Sequence, residues 1–70
     1  MEHTIENVVK VLKAMERNNR KLAEYFDRDQ KTQEAKSFRS SADAYYTAIL
    51  ALTDNDSFDA YVDIYDVKED

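Results

Sequence analysis

Residues 5–26, IENVVKVLKAMERNNRKLAEYF, and residues 35–52, AKSFRSSADAYYTAILAL, decide the fold. In the first, Ile5, Val8, Leu12, Met15, Asn19, Leu22 and Phe26 follow alternating gaps of three and four. In the second, Ala35, Phe38, Ala42, Tyr45, Ile49 and Leu52 do the same. That alternation keeps one stripe of an α-helix facing a neighbour. Folding one stretch back on the other pairs Leu22 with Phe38, Met15 with Tyr45, Leu12 with Ile49 and Val8 with Leu52. The connection then centres near Gln30. The spacing predicts an all-α chain built on a long antiparallel helical hairpin.

Outward from that core, polar residues set the boundaries. Thr4 is a good N-cap, and Glu6 sits in the first turn, where the helix dipole favours an acid. Helix 1 should run from about 4 to 27, and Arg28 to Lys31 should make the turn. Helix 2 should run from about 32 to 52, capped by Asp29 or Thr32, with Glu34 in its first turn. The cluster Thr53-Asp54-Asn55-Asp56-Ser57 stops it. A third helix should start at Asp54 or Asp56 and span about 56 to 66. Its Phe58, Tyr61, Val62 and Tyr65 repeat at the spacing of one apolar face. The whole is a small three-helix bundle in one domain, 1–70.

Length then limits the packing. At about 1.5 Å per residue, helix 1 reaches about 36 Å and helix 3 only about 16 Å. Helix 3 should therefore cover the half of the hairpin near Ile5, Val9, Tyr46, Leu50 and Leu52. The turn end keeps Leu22, Tyr25, Phe26 and Phe38 without a third helix, and contiguous apolar surface of that kind marks an interface. These four residues form the first candidate partner-binding surface.

Composition removes several classes of function. The 70 residues contain no Cys, no Gly and no Pro, and one His, at position 3. Disulfides, thiolate metal sites and glycine-rich phosphate loops are thus excluded, and one His cannot build a histidine metal site. No cofactor is expected. A chain this short rarely stands on one core alone, and the usual supports are disulfides, metal or self-association. Only the last remains, so self-association is the support left to the chain, with the sequence open between a homodimer and a monomer that awaits another protein. No apolar run approaches a membrane span and the N-terminus lacks an apolar signal core. The chain reads as a soluble cytoplasmic protein. Catalysis has no Cys nucleophile, no His away from the terminus and no carboxylate pair in a shielded pocket, so the expectation is a protein without enzymatic activity.

Charge is unevenly placed within a net charge of −5. Residues 1–35 hold seven acids and seven bases, whereas residues 36–70 hold eight acids and only Lys36, Arg39 and Lys68. Lys10, Lys13, Arg17, Arg20 and Lys21 share a basic side of helix 1. A phosphate track is conceivable there, but the acidic total and the lack of interleaved aromatics favour a solvated face, and direct nucleic-acid binding is not expected. Asp56, Asp59, Asp63 and Asp66, continued by Asp70, form an acidic stripe. It reads as a solubilising face, as a rail for a basic groove built for nucleic acid, or as a match for the basic side of another copy. Asp54-Asn55-Asp56-Ser57-Phe58-Asp59 opens like a calcium loop. However, Asp59 stands where such a loop needs Gly and Tyr65 where it needs Glu, so helix capping explains the run better. Asn19 on the apolar stripe is either a register device or is satisfied across the hairpin by Ser40, Ser41 or Tyr45.

Ala35, Phe38, Ala42, Tyr45 and Ala48 resemble one helix of a tetratricopeptide-type repeat. The alternation of small and large residues is what any close helix pair needs, and the resemblance implies a helix pair and no function. The functional expectation is a small non-catalytic protein-binding module, adaptor or inhibitor, that self-associates. The alternative is an acidic nucleic-acid mimic that blocks a DNA- or RNA-binding protein, of the kind a phage or mobile element could encode.

Overall fold

A computed structural model describes residues 1–69. The chain is all-helical: α1 is Ile5–Arg28, α2 is Thr32–Thr53 and α3 is Asn55–Ile64. Thr4 caps α1, its Oγ1 accepting from the Asn7 N–H at 3.1 Å. Asp54 caps α3 and accepts from the Ser57 N–H at 3.3 Å and from the Ser57 hydroxyl at 2.6 Å. The acid-rich run is thus a helix cap. Asp70 lies outside the described residues.

The hairpin turns without glycine. Gln30 adopts φ 58°. Its N–H donates to the Asp27 carbonyl at 3.1 Å, and the Lys31 N–H donates to the Phe26 carbonyl at 2.8 Å. These are the two bonds of a Schellman C-cap, which need a left-handed residue at this position. The same device ends α3: Asp66 has φ 51°, and the Val67 N–H donates to the Val62 carbonyl at 3.0 Å. Asp66 therefore lies past the helix end and not on its last turn. The tight first turn also decides how α2 begins. Lys31 is its N-cap, with no side-chain capping bond, where Asp29 or Thr32 was expected. Gln30 and Lys31 are committed to closing α1, so no residue is left in position to cap α2 with a side-chain oxygen.

The core is thin. Val9, Ala23, Ala35, Ala42 and Ile49 are the buried apolar residues. Ala35, Ala42 and Ala23, at 0%, 0% and 2% exposure, are the most deeply buried residues, and side chains this small let the helices pack closely. On α2 the buried line is the expected heptad stripe. On α1 it is rotated: Val9 and Ala23 lie inward, while Ile5 and Met15 are exposed and Val8 and Leu22 half-buried. Small residues explain the rotation, because Ala against Ala brings two helices closer than Leu against Phe.

The register also differs from the layer count. Phe38 stacks its ring on Phe26, with centroids 5.4 Å apart and planes 3° from parallel, where the count placed Leu22. Arg20 reaches Asp43 and Arg39 reaches Asp27. Helical side chains lean toward their own N-terminus. In an antiparallel pair, α1 side chains lean away from the turn and α2 side chains toward it. Residues that meet are thus about one turn later in number than the helix axes alone suggest. Because gaps of three and four repeat, that slip lands on the next layer of the same stripe.

The short helix departs most from expectation. It meets α2, and among the described residues no Cα of α3 comes within 8 Å of one in α1. Only Asp54 separates α2 from α3, so a ten-residue helix can reach only the adjoining turns of α2. Thr47, Leu50 and Ala51 are half-buried on the side of α2 turned away from Phe38 and Tyr45. That side is out of reach of α1, so α3 covers it. Tyr61 and Val62 are half-buried, whereas Phe58 and Tyr65 are 53% and 65% exposed.

The result is elongated. The radius of gyration is 14.7 Å, against about 11 Å for a compact domain of this length. The accessible surface is 5774 Å², against about 4,500 Å² for a folded monomer of 8.2 kDa.

Candidate functional site: an uncharged face of the hairpin

The two long helices form a slab with chemically distinct sides. One side carries the cross-hairpin ion pairs. Arg20 donates through Nε to Glu16 Oε2 at 2.9 Å and through Nη1 to Asp43 Oδ1 at 3.2 Å. The Glu16 hydrogen bond, aided by Asp43 and opposed by desolvation, raises the guanidinium pKa above its usual value. Asp27 pairs with Arg39 on the same side.

The other side carries the Phe26–Phe38 stack. At about 100° per residue, every charged residue of α1 falls in one arc of about 140°. The opposite arc holds Val8, Val11, Met15, Leu22, Tyr25 and Phe26. These residues are far enough from Val9 and Ala23 to form a second stripe, again with gaps of three and four if Asn18 is included. On α2 the same side presents Phe38, Ser41, Tyr45, Ala48 and Leu52, and α2 has no charged residue after Asp43. An apolar arc wider than one neighbour needs is the mark of a helix with two partners. The second partner is missing here, because α3 sits on the outer side of α2.

Exposure follows from this placement. Val11 is 49% exposed, Met15 38%, Leu52 41% and Tyr25 62%. The face closes at its N-terminal end in an open groove of about 310 Å³, walled by Val8, Val11 and Leu12 and rimmed by Met1 to His3. Asn7 fixes that rim by donating from Nδ2 to the Glu2 carbonyl at 2.8 Å.

The turn-end residues sit on this face, which brings all four together. Leu22, Phe26 and Phe38 are half-buried, and Tyr25 is exposed with its ring edge-on to Phe26 at 5.3 Å. The Phe rings cover each other, and Lys31 Nζ lies 5.9 Å from the Phe26 centroid. The turn end alone is therefore less bare than expected, and the uncovered surface continues through Val11 and Met15 toward the other end. Sequence reasoning missed those two as surface because Met15 was counted in the core stripe and Val11, beside it, was passed over. The signal was present in the charge-free half of α1.

Asn19 does not cross the hairpin. Its Nδ2 donates to the Met15 carbonyl at 2.8 Å within α1, a local side-chain-to-backbone bond of the kind that competes with longer-range partners. Asp56, Asp59 and Asp63 are exposed on α3, and Asp66 Oδ2 lies 3.8 Å from Lys68 Nζ. Of the basic side, Lys10 lies 3.8 Å from Glu6. Among the described residues, no group of three or more His, Cys, Asp or Glu could hold a metal ion, and no helix is long and apolar enough to cross a membrane. Compared with known protein families, curated proteins and solved structures, the chain matches none.

Proposed function

We propose that this chain is a small non-catalytic protein-binding module, an adaptor or inhibitor, that works by placing its uncharged hairpin face against a protein surface. One observation carries the reading. The hairpin places its ion pairs on one side and, Ile5 and Tyr46 apart, its exposed large apolar side chains on the other, and among the described residues α3 does not reach α1 to cover that second side. Turn-end Leu22, Tyr25, Phe26 and Phe38 supply an aromatic anchor of the type that dominates interface energies. A photo-crosslinking residue at Met15, compared with one at Arg17 on the charged side, tests this in the cells that make the protein. Protein adducts from position 15 and not from 17 are expected. Absence of adducts from both positions would overturn the reading.

A second reading rests on α3, where Asp56, Asp59 and Asp63 stand exposed with no ion pair among the described residues. As a nucleic-acid mimic the chain would dock this rail in a basic groove. Such binding weakens steeply between about 0.05 and 0.5 M salt, over which the Debye length falls severalfold. Asp59→Asn with Asp63→Asn should weaken it further. Salt-independent binding to its target would remove the mimic.

A further inference from the structure

We infer that the occupant of the uncharged face is a second copy of this chain, the two hairpins packing face to face as a four-helix bundle. The inference rests on the binding-module reading and names its partner. Three observations converge on it. First, the surface exceeds that of a folded monomer of this mass by about 1,200 Å², whereas a standard interface needs about 800 Å² from each partner. Part of that excess lies on Phe58, Ile64, Tyr65 and Val67 at the α3 end, and the remainder is of the size one self-pairing buries.

Second, the face suits itself. A two-fold interface puts the same patch on both sides, so it must tolerate its own chemistry. No charged residue lies between Val8 and Phe26 on the α1 side of this face, nor between Phe38 and Leu52 on the α2 side. Nothing on it repels its copy. The net charge of −5 falls mainly on Asp54 to Glu69, beyond Leu52 and on the far side of α2. Third, the stripe Val8, Val11, Met15, Leu22 and Tyr25 keeps heptad spacing along most of α1, a helix of 24 residues. Such spacing matches another long helix and not a short loop. On α2, Ser41, Ala44 and Ala48 are small enough to let a facing helix approach.

The test is solution mass by sedimentation equilibrium on the full chain, wild type against Val11→Glu/Met15→Glu, with Lys13→Gln as a charged-side control. Wild type and control should have twice the 8.2 kDa chain mass. The double variant, which buries four unpaired carboxylates per dimer, should dissociate at least about a hundredfold more readily. Because the thin core could leave that variant unfolded, the wild-type melting temperature is also followed over a hundredfold range of concentration. It should rise with concentration, as for any folded dimer in equilibrium with unfolded chains. A wild-type chain of monomer mass with a concentration-independent melting point overturns the inference. Adducts from position 15 to a different protein would then leave the binding-module reading standing.

Discussion

Gln30→Gly should stabilise the protein. Gln30 is held at φ 58° by the two capping bonds that end α1. For a residue with a Cβ, the left-handed region costs about 1–2 kcal/mol. Glycine removes that cost but adds freedom to the unfolded chain, worth about 0.5–1 kcal/mol. The net gain is about 0.5–1 kcal/mol. The Gln30 side chain is exposed, so the change sacrifices little packing there. With an unfolding entropy of about 2.1 cal/mol/K per residue, the gain corresponds to a rise of about 3–7 °C. Thermal melts by circular dichroism at one fixed concentration read this directly. Gln30→Val supplies the opposite arm, since a β-branched residue at positive φ is strongly disfavoured. A melting temperature that falls or stays fixed with glycine, or one that valine leaves unchanged, would refute the left-handed cap at this position.

Other substitutions probe different parts of the account. Ala42→Leu inserts bulk at one of the most deeply buried positions and should cost about 1–3 kcal/mol, seen as a lower urea midpoint. Asp54→Ala removes the α3 cap, costs about 1 kcal/mol and should speed amide exchange in Asn55 to Ile64 while leaving α1 unchanged. Phe26→Ala with Phe38→Ala should abolish association, and unchanged assembly in that variant would sink the turn-end anchor. Arg39→Ala removes an exposed ion pair and should change stability by less than about 1 kcal/mol, with the difference shrinking in high salt.

The hairpin was legible because Ile, Val, Leu and Phe repeat every three or four residues over both long stretches, and Thr4 and the Asp54 cluster mark their limits. The positions of the turn and of all three helices follow from those signals to within about two residues. The packing was less legible for two reasons. A heptad stripe is compatible with registers that differ by one turn, and the lean of helical side chains chose the later one, joining Phe38 to Phe26. The stripe on α1 also runs beside a second one. Only the close approach at Ala23, Ala35 and Ala42 decides that Val9 turns inward and Met15 outward. The reach of α3 was misjudged because its length allows contact with α1, whereas its one-residue connection at Asp54 does not. The candidate surface was half legible: Leu22, Tyr25, Phe26 and Phe38 follow from the hairpin, whereas Val11 and Met15 were signalled only by the charge-free half of α1 and stand out as surface once α3 is seen to lie against α2.

A second copy seated on the uncharged face would shield Met15 from solvent and leave Met1 open to it. The chain contains two methionines, Met15 in the middle of that face and Met1 at the outer rim of its N-terminal groove, which gives an internal comparison. Met1 is 93% exposed and Met15 38% exposed in the single chain. The rates at which dilute hydrogen peroxide oxidises each, read by peptide mass over a hundredfold range of protein concentration, decide the matter. Met15 should be protected at least about tenfold more than Met1 at high concentration and lose that protection on dilution. Oxidation of Met15 at one rate at all concentrations, in step with its exposure in the single chain, would contradict it.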